Sequence, residues 1–179
     1  MIDVINNQAF HLHNDQISYI CALLPNGQLG HLYFGPRLSL TKNDLAYLSQ
    51  GPSPFAWMAN FSDDQEFALG DAQQEYPVYG TGDFRQGSLS VTQDDMPIYP
   101  NFVFKDDQLT HTKTRDLHHP TSFGNPALTD VLTIHLEDKT AQLLLTLQYT
   151  IFADSAAIVR SATLTNQGTA PVMIQRMLS

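Results

Sequence analysis

Apolar and polar residues alternate along most of this chain, and the alternation is that of strands. The clearest run is Leu143 to Ile151. There the odd positions Leu143, Leu145, Leu147, Tyr149 and Ile151 are all apolar, and Thr146, Gln148 and Thr150 take the even positions after Leu144. A period of two puts the odd set on one face of a half-buried strand. Asp130 to Glu137, Ala141 to Phe152, Ala157 to Thr165 and Pro171 to Leu178 read as four successive strands, with Asp138-Lys139, Asp154-Ser155 and Asn166-Gln167-Gly168 between them. Strands joined by such short turns predict an antiparallel meander, because parallel neighbours need a long crossover. Upstream, Gln16 to Leu24 closes on the turn tripeptide Pro25-Asn26-Gly27 and Leu29 to Phe34 follows at once, which predicts a hairpin. Gly87 to Thr92 and Pro97 to Lys105 are further strand candidates. No comparable segment shows a 3.6-residue period; Leu40 to Ser49 holds at most a short helix, with Thr41 as its cap. The pattern predicts an all-β, antiparallel β-sandwich.

The stretch from about 39 to 72 departs from this pattern. Gly51-Pro52-Ser53-Pro54-Phe55-Ala56-Trp57-Met58 mixes turn formers with large apolar groups. A long irregular loop inside a compact domain is usually functional or part of an interface. Phe55, Trp57, Met58 and Phe61 are costly to expose, so they are expected either to fold back on their own sheet or to meet another domain or subunit. No repeat, low-complexity block or linker divides the chain, and residues 1–179 read as a single domain.

Composition narrows the partners. Nine Lys and Arg against eighteen Asp and Glu give a net charge of −9. That balance lacks the clustered cations that nucleic acid or an anionic membrane surface would require. The N-terminus carries neither a basic nor an apolar segment of a secretory signal, and no apolar run reaches the roughly twenty residues of a membrane span. The expected location is the cytoplasm. Cys21, the one cysteine, has no partner for a disulfide and sits in an apolar run, where it reads as a buried small hydrophobe.

Candidate chemistry is sparse. The adjacent acids Asp63-Asp64, Asp94-Asp95, Asp106-Asp107 and Glu137-Asp138 all fall at predicted turns, where Asp accepts backbone hydrogen bonds. A glycosidase needs instead two carboxylates facing one another across a bond. His11 and His13 share one strand face and His118-His119 forms a second cluster, but no acid or His stands at convincing ligand spacing, so no metal site is expected. Asp83 and Arg85, at i and i+2, would share a strand face as a structural ion pair or a domain-interface contact. Trp57 could stack on a sugar ring, although a lone Trp in an apolar loop more often anchors packing. No nucleophile, phosphate-binding or dinucleotide motif is present.

Several blocks carry more information together than singly. They are Phe10-His11-Leu12-His13-Asn14-Asp15-Gln16-Ile17-Ser18-Tyr19, Asn26 to Gly35, Gln74-Glu75-Tyr76-Pro77, Gly80-Thr81-Gly82-Asp83-Phe84-Arg85, Leu136-Glu137-Asp138, Leu147 to Phe152 and Ile158-Val159-Arg160-Ser161. In this order and spacing, with EYP-x-YG-x-GDFR at the centre, they resemble the N-terminal β-supersandwich domain of bacterial α-galactosidases of glycoside hydrolase family thirty-six, the lactobacillus-type enzymes above all. The resemblance runs from about Phe10 to the last residue.

The resemblance implies a retaining exo-glycosidase acting on galactosides of the melibiose and raffinose type, without a cofactor. Its two catalytic carboxylates lie in a (β/α)₈ barrel that follows this domain. The chain, ending at Met177-Leu178-Ser179, would then be a non-catalytic fragment with no catalytic residue of its own, partnered by its own barrel; the alternatives are a stand-alone carbohydrate-binding module and a purely structural assembly β-sandwich. The family resemblance also implies a homo-oligomer, a tetramer, in which the loop between Tyr47 and Phe67 reaches a neighbour's sugar pocket. Where the family carries an acid and an Arg in that loop, this chain has Ser49 and Gln65. It also reads Gln86-Gly87-Ser88 where Pro-Ala is usual, and neither Ser49 nor Gln65 is carried over as a ligand. Phe55, Trp57, Met58, Phe61, Asp83 and Arg85 remain as interface candidates, with Trp57 also a candidate sugar contact.

Overall fold

The computed structural model describes residues 1–48, 67–80, 82–113, 122 and 125–178. Phe55, Trp57, Met58 and Phe61 lie outside the described residues, as do Ser49, Gln65, Asp63-Asp64 and His118-His119.

The first sheet is a meander of β1 (Ile2–Ile5), β2 (Ala9–His13), β3 (Ile17–Leu23) and β4 (Leu29–Pro36), with all neighbours antiparallel. The Pro25-Asn26-Gly27 turn closes the β3–β4 hairpin. Gly27 takes φ +81°, and its N–H donates to the Leu24 carbonyl at 2.8 Å. After β4, Thr41 starts the predicted helix, α1 (Lys42–Leu48). The Thr41 backbone N–H and hydroxyl both donate to the Asp44 carboxylate, at 2.6 and 2.7 Å, an acid in the first turn where the helix dipole favours it.

The second sheet holds β7 (Val103–Thr110), β8 (Thr129–Asp138), β9 (Leu143–Phe152) and β10 (Ile158–Asn166), in the order β10-β9-β8-β7 and again antiparallel. The odd positions of β9 point inward as the alternation predicted: Leu143, Leu145, Leu147, Tyr149 and Ile151 are all fully buried. Thr150 is buried as well, on the other face. Phe10, Leu12 and Cys21 of the first sheet join this inner face of the second in one apolar cluster, completed by Tyr76, Val78, Leu89, Val91 and Phe102. The chain has the antiparallel β-sandwich architecture expected of it.

A third sheet, β11-β5-β6, is built from β5 (Leu89–Gln93), β6 (Met96–Ile98) and β11 (Met173–Met177). The observed strands correct three readings. The Pro97 to Lys105 run is not one strand: β6 ends at Ile98, and β7 begins at Val103 in another sheet. Pro100 has no N–H to offer a ladder. The Asn101 N–H goes to the Asp138 carboxylate at 2.7 Å, and Phe102 drops into the core. The last strand likewise leaves the C-terminal meander to pair with β5, Met173 opposite Thr92 and Met177 opposite Leu89. Asp106-Asp107 is not a turn but part of β7, beside a register shift between Phe104 and Asp106. As an edge strand, β7 carries these exposed charges where they oppose pairing with another chain. Asp94-Asp95 does form the β5–β6 turn, with φ of +50° and +62°. Asp138 accepts from the N–H groups of Thr140 and Ala141 in the β8–β9 turn.

Candidate functional site

Between β4 and β5 the chain runs without long strands but not without order. The Gln73 carbonyl accepts from the His31 N–H, and the Glu75 N–H donates to the Leu29 carbonyl at 2.9 Å, so this segment lies along the edge of β4. Backbone pairing therefore carries the Glu75 side chain into the space between the two four-stranded sheets, where none of it is exposed.

A buried carboxylate is costly unless its lone pairs are filled. Those of Glu75 are filled from both sheets. The Tyr19 hydroxyl of β3 lies 2.6 and 2.7 Å from its two oxygens, and His31 Nδ1 of β4 is 2.9 Å from Oε1. From the second sheet, the Tyr149 hydroxyl of β9 donates to Oε2 at 2.7 Å, and Arg160 of β10 at 3.1 Å. Tyr149 and Arg160 are register partners across β9 and β10, which delivers both groups to the same point. Burial raises the Glu75 carboxyl, but the hydrogen bonds from His31, Tyr19 and Tyr149, together with the charge of His31, outweigh it, so its pKa is held below the usual 4.5. Burial, reinforced by the Glu75 charge, pushes the Tyr19 and Tyr149 phenols far above their ordinary range. Glu75 is an ionised rivet joining the two sheets.

A second buried carboxylate, Asp83, organises the next turn. Arg85 grips it from Nε and Nη2, at 2.9 and 2.8 Å, and the Arg85 N–H adds a third bond at 3.0 Å. Gln74 Nε2 donates to Oδ2 at 2.6 Å, and Arg85 also reaches the Ala72 carbonyl at 2.8 Å. Burial raises the Asp83 pKa, and these donors more than reverse it, leaving the carboxyl below its usual range. The ion pair expected at i and i+2 is present. It forms in a tight turn rather than on a strand, because Gly80 and Asp83 exchange backbone hydrogen bonds of 2.7 and 3.0 Å. That turn requires φ of +98° at Gly80 and +96° at Gly82, a region open to glycine.

The turn holds its aromatic residues outward. Tyr79, Phe84 and Tyr99 are exposed at 46%, 71% and 53%. Tyr79 meets Phe84 edge to face and Tyr99 at a tilt, each with ring centroids 5.7 Å apart. Beside them an open cleft of about 370 Å³ is lined by Val78, Tyr79, Gln86, Pro97, Tyr99 and Arg176. Met96, Met173 and Ile174 of the third sheet are also exposed, at 67%, 62% and 49%. The motif thus couples two satisfied buried acids to an uncovered aromatic face. The sequence singled out Asp83 and Arg85 but not Glu75, Tyr79, Phe84 or Tyr99; the EYP-x-YG-x-GDFR block was the available signal.

His11 and His13 share the face of β2 opposite Phe10 and Leu12, with ring centroids 4.5 Å apart. Burial, then the neighbouring His13, lowers the His11 pKa to about 4. Pairing of β1 with β2 sets Asp3 opposite His11, and the Asp3 carboxylate lies 2.9 Å from His13 Nε2. Spacing along the sequence did not reveal this acid.

An antiparallel sandwich riveted by a buried glutamate, with a GDFR turn presenting aromatics, defines a domain class with sequence relatives. Residues 27–179 match the glycosyl hydrolase family 36 N-terminal domain, and the chain belongs to that family. It is 34% identical to α-galactosidase Mel36A of Lactobacillus acidophilus, over 97% of this chain and 24% of that protein. The crystal structure of α-galactosidase AgaB from Geobacillus stearothermophilus superposes with a TM-score of 0.87 at 26% identity, covering all of this chain and 24% of that one. A variant of AgaA from the same organism, in complex with raffinose, gives 0.85 at 29% identity over 96% of this chain and 24% of its own. The chain therefore spans about a quarter of the length of these relatives and corresponds to one domain of such enzymes.

Proposed function

We propose that the chain is the non-catalytic N-terminal domain of an α-galactosidase that removes terminal α-linked galactose from melibiose- and raffinose-type sugars with retention. In this reading residues 1–179 form one domain, working in the cytoplasm, and the reacting carboxylates belong to a (β/α)₈ barrel elsewhere in the enzyme. The observation that carries it is the outward aromatic face of Tyr79, Phe84 and Tyr99, built on a turn whose own acids are fully occupied. Glu75 and Asp83 are committed to holding structure and have no free lone pair aimed at a substrate. The face suits a protein partner better than a sugar. Its rings stand at 75° and 50° to one another and do not form a flat row of aromatics along a sheet face. Asp83 and Arg85 would form the rigid base of the contact with the barrel.

Hydrogen exchange tests this assignment. Amides from Val78 to Tyr99 should exchange more slowly in a full-length enzyme than in the 179-residue chain, and Phe84→Ser should erase much of that difference. Equal exchange in both proteins would place the barrel elsewhere.

The same proposal gives the segment from Phe55 to Phe61 a role in homo-oligomer assembly, as a tetramer, near a neighbouring subunit's galactoside pocket. Its support is the sequence itself, four large apolar side chains among Pro and Gly. Trp57→Ala in the full-length enzyme should weaken assembly, or raise KM for raffinose-type sugars more than it lowers kcat. Unchanged light scattering and unchanged kinetics on melibiose and raffinose would reduce Trp57 to a packing residue.

A further inference from the structure

Among the described residues β1 is the edge strand of the first sheet, with β2 as its neighbour there. Its register with β2 brings three metal-binding side chains together: Asp3 from β1, and His11 and His13 from one face of β2. One ligand atom from each lies within 4.8 Å of the other two. Tetrahedral ligands of a zinc-type ion stand roughly 3.3 Å apart, given metal–ligand bonds of about 2.0–2.2 Å. Two imidazoles and a carboxylate are the donors that class of ion prefers. Asp3, with 63% of its side chain exposed, is free to close the remaining distance by rotation.

The protein alone leaves these groups incompletely satisfied. Among the described residues, the buried His13 Nδ1 has no hydrogen-bond partner, a condition that calls for an explanation such as a water or an ion. His11 is 3% exposed, and its ring is fixed from outside the cluster by a 2.9 Å hydrogen bond between Nε2 and the Ser18 hydroxyl. An oriented ring of this kind is what outer partners provide at metal sites, and ligation through Nδ1 would leave that bond intact.

We propose that Asp3, His11 and His13 bind one divalent transition-metal ion of the zinc class. The ion cross-links edge strand β1 to β2, and water completes its coordination. Its role is structural, because the three ligands staple a strand that, among the described residues, has one partner in its sheet.

Titration of the chelator-treated, tag-free protein with Co²⁺ is the test, with Zn²⁺ in competition. The expected result is one Co²⁺ per chain, visible d–d absorption, displacement by Zn²⁺, a raised Tm and slower amide exchange over Ile2–Ile5. Asp3→Asn, at an exposed position that should not disturb folding, and His13→Gln should each weaken binding at least tenfold, since the loss of even an outer partner costs about 10–100-fold. His111→Gln, at an exposed histidine remote in sequence, should leave binding unchanged. Absence of binding at millimolar Co²⁺, or binding indifferent to both Asp3→Asn and His13→Gln, would overturn the proposal and leave Asp3 and His13 as an ordinary hydrogen-bonded pair.

Discussion

Glu75 carries more of this structure than any other polar side chain described, because its hydrogen bonds come from β3, β4, β9 and β10 at once. Removing the charge while keeping the shape leaves the half-buried Arg160 beside a neutral amide, and breaking one side of a fully buried pair costs at most about 3–5 kcal/mol. Glu75→Gln should therefore lower stability in urea unfolding by about 1–3 kcal/mol, less than that limit because solvent reaches Arg160. The charge also sets a pH dependence. The folded carboxyl titrates below the ordinary glutamate value of 4.5. Its contribution is complete above that value and disappears as the pH falls through the folded pKa, so the wild type should lose stability below about pH 4.5 more steeply than Glu75→Gln. Equal acid sensitivity of the two proteins would show that the carboxylate does not couple the sheets. Little of this was legible beforehand. The donors lie 44 to 85 residues from Glu75 in the chain, and only the packing of the two sheets gathers them. Asp83 and Arg85 were legible because their pairing is local. Asp3 was not, because its meeting with His11 and His13 depends on strand register.

At the scale of elements, the signals that succeeded were local ones. Period two placed every odd residue of β9 in the core, and Pro25-Asn26-Gly27 closed the β3–β4 hairpin. The failures were non-local. In the Pro97–Lys105 run Pro100 marks a break, but nothing local says that β6 and β7 join different sheets, and the short turn after β10 gave no hint that β11 would pair with β5 instead. Asp106-Asp107 looked like a turn, yet edge-strand β7 uses the same charges as protection. The Gly80–Asp83 turn lies between these cases: its glycines were visible, their purpose was not. A side chain at Gly80 would meet both a φ of +98° and the Tyr99 Cβ at 3.2 Å. Gly80→Ala should thus destabilise by about 1–3 kcal/mol, the cost of a backbone strained out of its favoured region. It should also shift the near-UV circular dichroism of the Tyr79–Phe84–Tyr99 cluster. An alanine variant as stable as the parent would mean that the turn tolerates rearrangement.

For the whole molecule, buried acids and outward aromatics divide the work. Glu75 and Asp83 hold the sheets and the turn, and the ordered scaffold presents a face with exposed Tyr79, Phe84, Tyr99 and Met96. In the proposed reading this exposed apolar surface is the interaction site. Family 36 membership, over residues 27–179, and relatives four times as long agree with a domain that serves a larger enzyme. No helix among the described residues is long and apolar enough to cross a membrane. The division of labour makes a direct claim, that the chemistry lies outside these 179 residues. Hydrolysis of p-nitrophenyl-α-galactoside by the purified chain tests that claim. The account predicts no release of p-nitrophenol above the buffer rate, while a full-length enzyme carrying the same domain turns the substrate over. Turnover by the 179-residue chain that is lost in Glu75→Gln or Asp83→Asn variants shown to remain folded would contradict it.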